Sequence, residues 1–188
     1  MTSMTNTMKK IAACALWISA GATCMPASAH VVLEYGVAPA GASYKATFKV
    51  GHGCGASPTR QIAVDIPAGM RSAHPMPKAG WTLDVARGKL AQPSMSHGRS
   101  ATEDVVRITW TAKTEQDMLQ SAHYDEFVLV AQAPAQAGPV YWPVRQACAD
   151  GQSDWVEIPT AGQKLSDLKF PAAVLEILPA SGAAGHNH

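Results

Sequence analysis

The chain has 188 residues, with 15 Lys and Arg against 14 Asp and Glu, and a formal net charge of +1 at pH 7. This near-neutral balance, without a cluster of basic residues, argues against a nucleic-acid-binding protein. The length is enough for one domain with a substantial hydrophobic core.

The first 29 residues have the pattern of a cleaved signal peptide. Lys9 and Lys10 precede the apolar run "IAACALWISAGA", and Ala27-Ser28-Ala29 fits the small-x-small rule for cleavage. This run is too short for a membrane anchor, which would need roughly 20 apolar residues. A lipoprotein signal at Cys24 would need an aliphatic residue that "GATC" lacks. We therefore predict export and cleavage after Ala29, which leaves 13 basic and 14 acidic residues.

Cleavage at this point would make His30 the first residue of the mature protein. Its free α-amine and its imidazole Nδ1 could then bind one metal ion together and close a six-membered chelate ring. Amine and imidazole nitrogens suit Cu(II), which has the highest affinity among the divalent first-row metals. The alternative is that processing leaves a histidine there without a function. The strand-like "HVVLEYG" that follows favours a fixed position for His30.

The mature chain reads as short strands separated by Gly and Pro. Alternation of apolar and polar residues, typical of half-buried strands, occurs in "SYKATFKVG", "RQIAVDIP" and "DVVRITW". Further candidate strands are "DEFVLVAQ", "VYWPVRQ", "DWVEIP" and "AAVLEIL", and the one candidate helix is "TEQDMLQSA". We predict an all-β, immunoglobulin-like antiparallel β-sandwich over residues 30–178, with a partly open barrel as the alternative. The small and polar residues 179–188 are predicted to form a flexible tail.

Cys54 and Cys148 are the two cysteines that remain after cleavage. In an oxidising compartment an even pair predicts a disulfide, here closing a long loop. A thiolate metal site is the alternative, and His52 beside Cys54 could contribute to it.

Glu126 precedes Phe127 in a predicted strand, so their side chains point to opposite faces. If Phe127 enters the core, Glu126 lies on a solvated surface or in a site. Trp142 and Trp155 flank Cys148 and are typical core residues, although a tryptophan can also shield a metal site from water. The remaining side chains that could bind copper weakly, or simply lie in solvated loops, are His74, Met76, Met95, His97, His186 and His188. No motif for a nucleophilic hydrolase, a zinc protease or a phosphate-binding loop is present.

Several blocks in the same order resemble the YcnI-like copper-binding domain of exported bacterial proteins. They are His30, "FKVGHGCGASPT", "PMPKAGW", "VVRITW", "YDEFVLVAQAP", "YWPVRQACADG" and "DWVEIP". The resemblance implies an immunoglobulin-like sandwich and one Cu(II) held by the amine and imidazole of His30. It also implies that Glu126 is an auxiliary carboxylate ligand and that Trp142 lies next to the copper.

These features lead to the expectation of a periplasmic, non-enzymatic copper chaperone or scavenger that delivers copper to a transporter or a cuproenzyme. One alternative is a histidine-brace copper oxidase or monooxygenase. Such an enzyme needs a second histidine at the copper, for which His52, His74, His97 and His123 are the candidates. The other alternative is an immunoglobulin-like adhesion or assembly module in which His30 has no role.

Overall fold

The computed structural model describes residues 30–96 and 99–180, and between residues 91 and 100 it describes backbone only. The predicted signal peptide lies outside the described residues, as do His97, His186 and His188 and most of the predicted tail.

The described chain is built almost entirely from β strands. In chain order they are β1 (Val32–Leu33), β2 (Val37–Pro39), β3 (Ser43–Val50), β4 (Thr59–Asp65), β5 (Arg71–Pro75), β6 (Trp81–Ser96), β7 (Arg99–Ala112), β8 (Asp125–Gln132), β9 (Gly138–Trp142), β10 (Val144–Cys148), β11 (Gln152–Trp155) and β12 (Ala173–Leu178). The strands form a four-stranded sheet in the order β1-β3-β8-β5 and a five-stranded sheet in the order β11-β10-β4-β7-β6. A three-stranded sheet, β2-β12-β9, completes the fold. All pairs are antiparallel except β2 with β12. The prediction of an all-β antiparallel fold is confirmed.

The alternation in β3 shows why the sequence forms this sheet. Tyr44, Ala46, Phe48 and Val50 are buried, as the period of two predicts, because successive side chains of a strand point to opposite faces. Thr47 is buried on the other face as well. The central strand is therefore covered on both sides over part of its length.

Edge-to-face aromatic pairs join the sheets through the core. The ring of Phe127 on β8 packs against Trp81 of β6 and Trp110 of β7, with centroids 5.0 and 5.7 Å apart. Phe48 on β3 packs against Trp142 of β9 at 5.5 Å. Aromatic rings bury large apolar areas and prefer this geometry. These contacts hold the four-stranded sheet against both of the others.

The candidate helix "TEQDMLQSA" forms only a single 3-10 turn, Glu115–Asp117. Leu119 then exchanges two backbone hydrogen bonds with Thr59, of 2.8 and 3.0 Å, so the segment is drawn into β pairing instead of continuing as a helix. In the described part of the chain, no helix is long and apolar enough to cross a membrane.

Cys54 and Cys148 form the predicted disulfide, with Cα atoms 6.0 Å apart. The bond joins the β3–β4 loop, which connects the four-stranded and five-stranded sheets, to the end of β10. It spans a sequence separation of 94 residues. Disulfides persist in oxidising compartments, so this bond is consistent with an exported protein.

Replacing both cysteines, as Cys54→Ala with Cys148→Ala, is expected to lower the free energy of unfolding by about 2–5 kcal/mol, because the unfolded chain loses a long-range constraint. Denaturant unfolding of the oxidised protein and of the variant measures the difference. As a control, a reductant should destabilise the wild type and leave the variant unchanged. Two reactive thiols in the folded, air-oxidised wild type would contradict the assignment.

Candidate metal centre

His30 lies two residues before the first residue of β1, and the pairing of β1 fixes the segment that carries it. β1 pairs with β3, with Val32 opposite Lys49 and Leu33 opposite Phe48. The side chains of Val31 and Leu33 are buried in the core. The predicted docking of the segment after His30 is confirmed for this short strand. The imidazole therefore belongs to a segment that is fixed by the buried side chains of Val31 and Leu33.

The imidazole of His30 packs against the indole of Trp155 at the end of β11. The two ring centroids lie 5.5 Å apart and the planes meet at 84°. Trp155 is itself buried and packs against Phe170 at 5.3 Å. Its Nε1 donates a hydrogen bond of 3.1 Å to Oε1 of Gln146. Trp155, the aromatic neighbour of His30, is thus fixed by a ring contact with Phe170 and by the hydrogen bond of its N–H to Gln146.

An open groove runs beside His30 between β1 and the start of β12. It is lined mainly by apolar side chains, namely Val31, Leu33, Leu165, Pro171, Ala172 and Ala173. The surroundings of His30 on this side are therefore mostly apolar.

Glu126 lies near the start of β8, on the outer face of the four-stranded sheet. It is opposite Lys49 in the register, and Lys49 is in turn opposite Val32. Two strand spacings therefore separate Glu126 from Val32, roughly 10 Å between their Cα atoms. Phe127 next to it is buried, so the predicted division of the two side chains between faces is confirmed.

The carboxylate of Glu126 accepts a hydrogen bond from the hydroxyl of Tyr124. This bond raises the pKa of Tyr124 to about 12, with smaller contributions from desolvation and from the charges of Glu126, Glu34 and Asp125. Asp125 forms an ion pair of 2.6 Å with Lys78. The two adjacent carboxylates therefore have different partners. Glu126 bonds to the neutral hydroxyl of Tyr124, whereas Asp125 pairs with the charged amine of Lys78.

Trp142 is fully buried and packs edge-on against Phe48. Its Nε1 has no hydrogen-bond partner within the described part of the chain. The tryptophan in ring contact with His30 is Trp155, which the sequence analysis treated as a core residue. The role of Trp142 beside a metal stays a prediction.

Trp155 and Gln146 are the two residues near His30 that sequence reasoning did not select. The segment "ACADG" could have indicated both residues, because it forms a hairpin turn. In this turn the N–H of Cys148 donates a hydrogen bond of 3.0 Å to the carbonyl of Gly151. Such a turn sets the register, which places Trp155 opposite Val144. Because Val144 and Gln146 share a face two residues apart, Trp155 and Gln146 belong on the same buried face.

The other histidines are spread over the domain. His52 lies in the loop after β3, His123 is exposed before β8, and His74 lies on β5, at the opposite edge of its sheet from β1. Within residues 30–96 and 99–180, no three His, Cys, Asp or Glu side chains are grouped to hold a metal ion.

The family model described as "Domain of unknown function (DUF1775)" matches residues 30–177. The chain belongs to this family. DUF1775 is the family of the YcnI-like proteins, so the resemblance noted in the sequence is confirmed at the level of the family. The match begins at His30, the residue that follows the predicted cleavage site. No curated protein matches the chain significantly.

A solved structure supports the fold class of this DUF1775 domain. It is described as the crystal structure of an uncharacterized protein from Nocardia farcinica that reveals an immunoglobulin-like fold. It is 25% identical, covers 81% of this chain and 99% of its own, and superposes with a TM-score of 0.62. The predicted immunoglobulin-like sandwich is confirmed. Neither comparison indicates an enzymatic family.

Glu126→Gln is expected to lower the pKa of Tyr124 from about 12 towards its ordinary value of 10.0. The carboxylate favours the neutral phenol and opposes the phenolate, and the amide removes that charge while it keeps an acceptor. Carbon NMR of ring-labelled tyrosine across alkaline pH measures the titration, and Tyr124→Phe identifies the resonance. An unchanged titration of Tyr124 in Glu126→Gln would contradict the contact.

Proposed function

We propose that this protein is an exported copper-binding protein that holds one Cu(II) through the N-terminal amine and imidazole of mature His30. The contact between His30 and Trp155 is the observation that carries the proposal. It places the imidazole against a rigid aromatic wall at the end of an anchored strand. The start of the family match at His30 supports the same site.

Glu126 is the carboxylate that we propose as the third ligand. It lies on the outer face shared with Val32, two strands away, and its present partner is the neutral hydroxyl of Tyr124. Copper binding would exchange that hydrogen bond for a metal–oxygen bond. The amine, the imidazole and the carboxylate together form a nitrogen–oxygen set that suits Cu(II).

A donor set of this kind fits a carrier rather than a resident catalytic centre. Cu(I) prefers sulfur ligands, so reduction would weaken the hold of two nitrogens and one carboxylate. The protein could then pass copper to a transporter or to a cuproenzyme. The disulfide supports placement in an oxidising compartment, and we propose the periplasm after removal of residues 1–29.

The free amine is tested by comparing mature protein that begins at His30 with protein that carries one additional N-acetylated alanine before it, the acetyl group being needed because a free Ala-His terminus would offer Cu(II) a new amine–amide–imidazole chelate. The extension converts the amine into a peptide nitrogen, so we expect Cu(II) affinity to fall by at least about a hundredfold, or about 2.8 kcal/mol. Competitive titration measures the affinity, and electron paramagnetic resonance counts the nitrogen ligands.

The matched control for the extension adds residues at the C-terminus, which should leave the affinity unchanged. Selective acetylation of the mature α-amine should reproduce the effect of the extension. Equal affinities in the mature and extended proteins would exclude the proposed chelate.

Glu126→Gln tests the third ligand. The substitution preserves shape and should keep the fold, whereas Cu(II) affinity at pH 7 should fall about tenfold or more, or about 1.4 kcal/mol. In both proteins affinity should fall with acid, because amine and imidazole must lose their protons to bind and have reference pKa values near neutrality. Cu(II) titrations between pH 4 and 8 measure both effects.

Asp125→Asn is the matched control, since Asp125 is adjacent to Glu126 and is paired with Lys78. It should bind Cu(II) as the wild type does. If Glu126→Gln kept full affinity at pH 7, Glu126 would not be a ligand, and Asp125 and Glu34 would be tested next.

A further inference from the structure

Gln146 is an unusual side chain for the core of this domain. It lies in the middle of β10, between β4 and β11, and is only 1% exposed. Thr47, Thr59 and Gln146 are the buried polar residues in the described part of the chain. A buried amide costs free energy unless its donors and its acceptor are all engaged. The partners of Gln146 therefore reveal what it holds in place.

Three hydrogen bonds satisfy the amide of Gln146. Its Nε2 donates to the main-chain oxygen of His52 and to Oγ1 of Thr59, both at 2.7 Å, and its Oε1 accepts from Nε1 of Trp155 at 3.1 Å. The chemistry of the partners determines the orientation of the amide. An indole N–H can only donate and a main-chain carbonyl can only accept, so the oxygen must face Trp155.

These bonds place Gln146 against Trp155, on the side of the core, while His30 packs against the same indole. The Trp155 indole that donates to Gln146 is the ring against which the His30 imidazole packs. On the other side, the His52 carbonyl belongs to the loop that the Cys54–Cys148 disulfide holds against β10. The contacts run from the disulfide loop through Gln146 and Trp155 to His30 without a gap.

We infer that Gln146 is a positioning residue of the His30 site, which sets the orientation of the Trp155 indole and through it that of the His30 imidazole. The effect on copper rests on the proposed function, whereas the effect on ring geometry exists in the metal-free protein. Groups that hydrogen-bond directly to a metal ligand typically change metal affinity by about 10- to 100-fold, and because Gln146 acts through Trp155 we expect an effect near the lower end of that range.

The test begins with the metal-free mature protein and Gln146→Met, which replaces the amide by an apolar chain of similar length. Proton NMR of His30 reports the ring-current shift from Trp155, and hydrogen exchange of the Trp155 indole N–H reports its hydrogen bond. We expect the His30 shift to move and the indole N–H to lose protection. Gln61→Met is the matched control, since Gln61 donates a similar bond of 3.0 Å to Thr111 Oγ1 on the neighbouring strand. It should leave both signals unchanged.

The same proteins are then titrated with Cu(II). Gln146→Met should weaken binding about tenfold or more and alter the electron paramagnetic resonance spectrum, and Gln61→Met should do neither. Trp155→Phe keeps a ring and removes the N–H, and it should weaken binding in the same direction. If Gln146 acts through Trp155, the double variant Gln146→Met with Trp155→Phe should lose less affinity than the two single losses combined.

The outcomes separate this inference from the proposed function. If the wild type bound no Cu(II) but Gln146→Met still moved the His30 shift, the copper proposal would fail and the positioning role would stand. An unchanged His30 shift in Gln146→Met would overturn the positioning role, whatever copper does. If Gln146→Met did not fold, Gln146→Asn, whose side chain is one methylene shorter, would decide, and an unchanged His30 shift and an unchanged protection of the Trp155 indole N–H in that variant would overturn the inference.

Discussion

The disulfide between Cys54 and Cys148 is the constraint on which the His30 end of the domain depends. It ties the loop after β3, in the four-stranded sheet, to the end of β10, in the five-stranded sheet. The loop is tight, because a Cβ on Gly53 would lie 1.8 Å from the Ser57 carbonyl oxygen. Glycine at this position allows the loop to close, and closure brings the His52 carbonyl to the amide of Gln146.

A series of polar contacts connects the disulfide loop to the neighbour of His30. Gln146 is buried without an energetic penalty because the disulfide loop, Thr59 and Trp155 use both its donors and its acceptor. Trp155 presents its ring to His30, and β1 holds His30 from the other side through the burial of Val31 and Leu33. The imidazole of His30 is thereby held from two sides. Preorganisation of this kind is what a small metal centre requires of its protein.

The amount that could be predicted from the sequence differs between elements. Alternation identified β3, β4 and the second half of β7, because their inner faces bury apolar side chains at every second residue, such as Ile62 and Val64 or Ile108 and Trp110. It missed β6, where "WTLDVARGKLAQPSMS" has no sustained alternation and strand formation depends on pairing with β7. The prediction of a helix after β7 was wrong for a related reason, because the backbone of Leu119 pairs with that of Thr59. Non-local hydrogen bonds decided both segments.

The sequence by itself predicted the fold class, the Cys54–Cys148 disulfide and a candidate metal-binding role for His30, because these predictions follow from local periodicity, the number of cysteines after the predicted cleavage site and position along the chain. The immunoglobulin-like fold of the solved structure agrees with the fold class. Only the tertiary structure decided which tryptophan contacts His30. Trp142 and Trp155 both flank Cys148, but their partners depend on sheet register and sheet packing. Trp142 packs against Phe48 inside the core, whereas the β10–β11 hairpin carries Trp155 to the end of the sandwich where β1 begins.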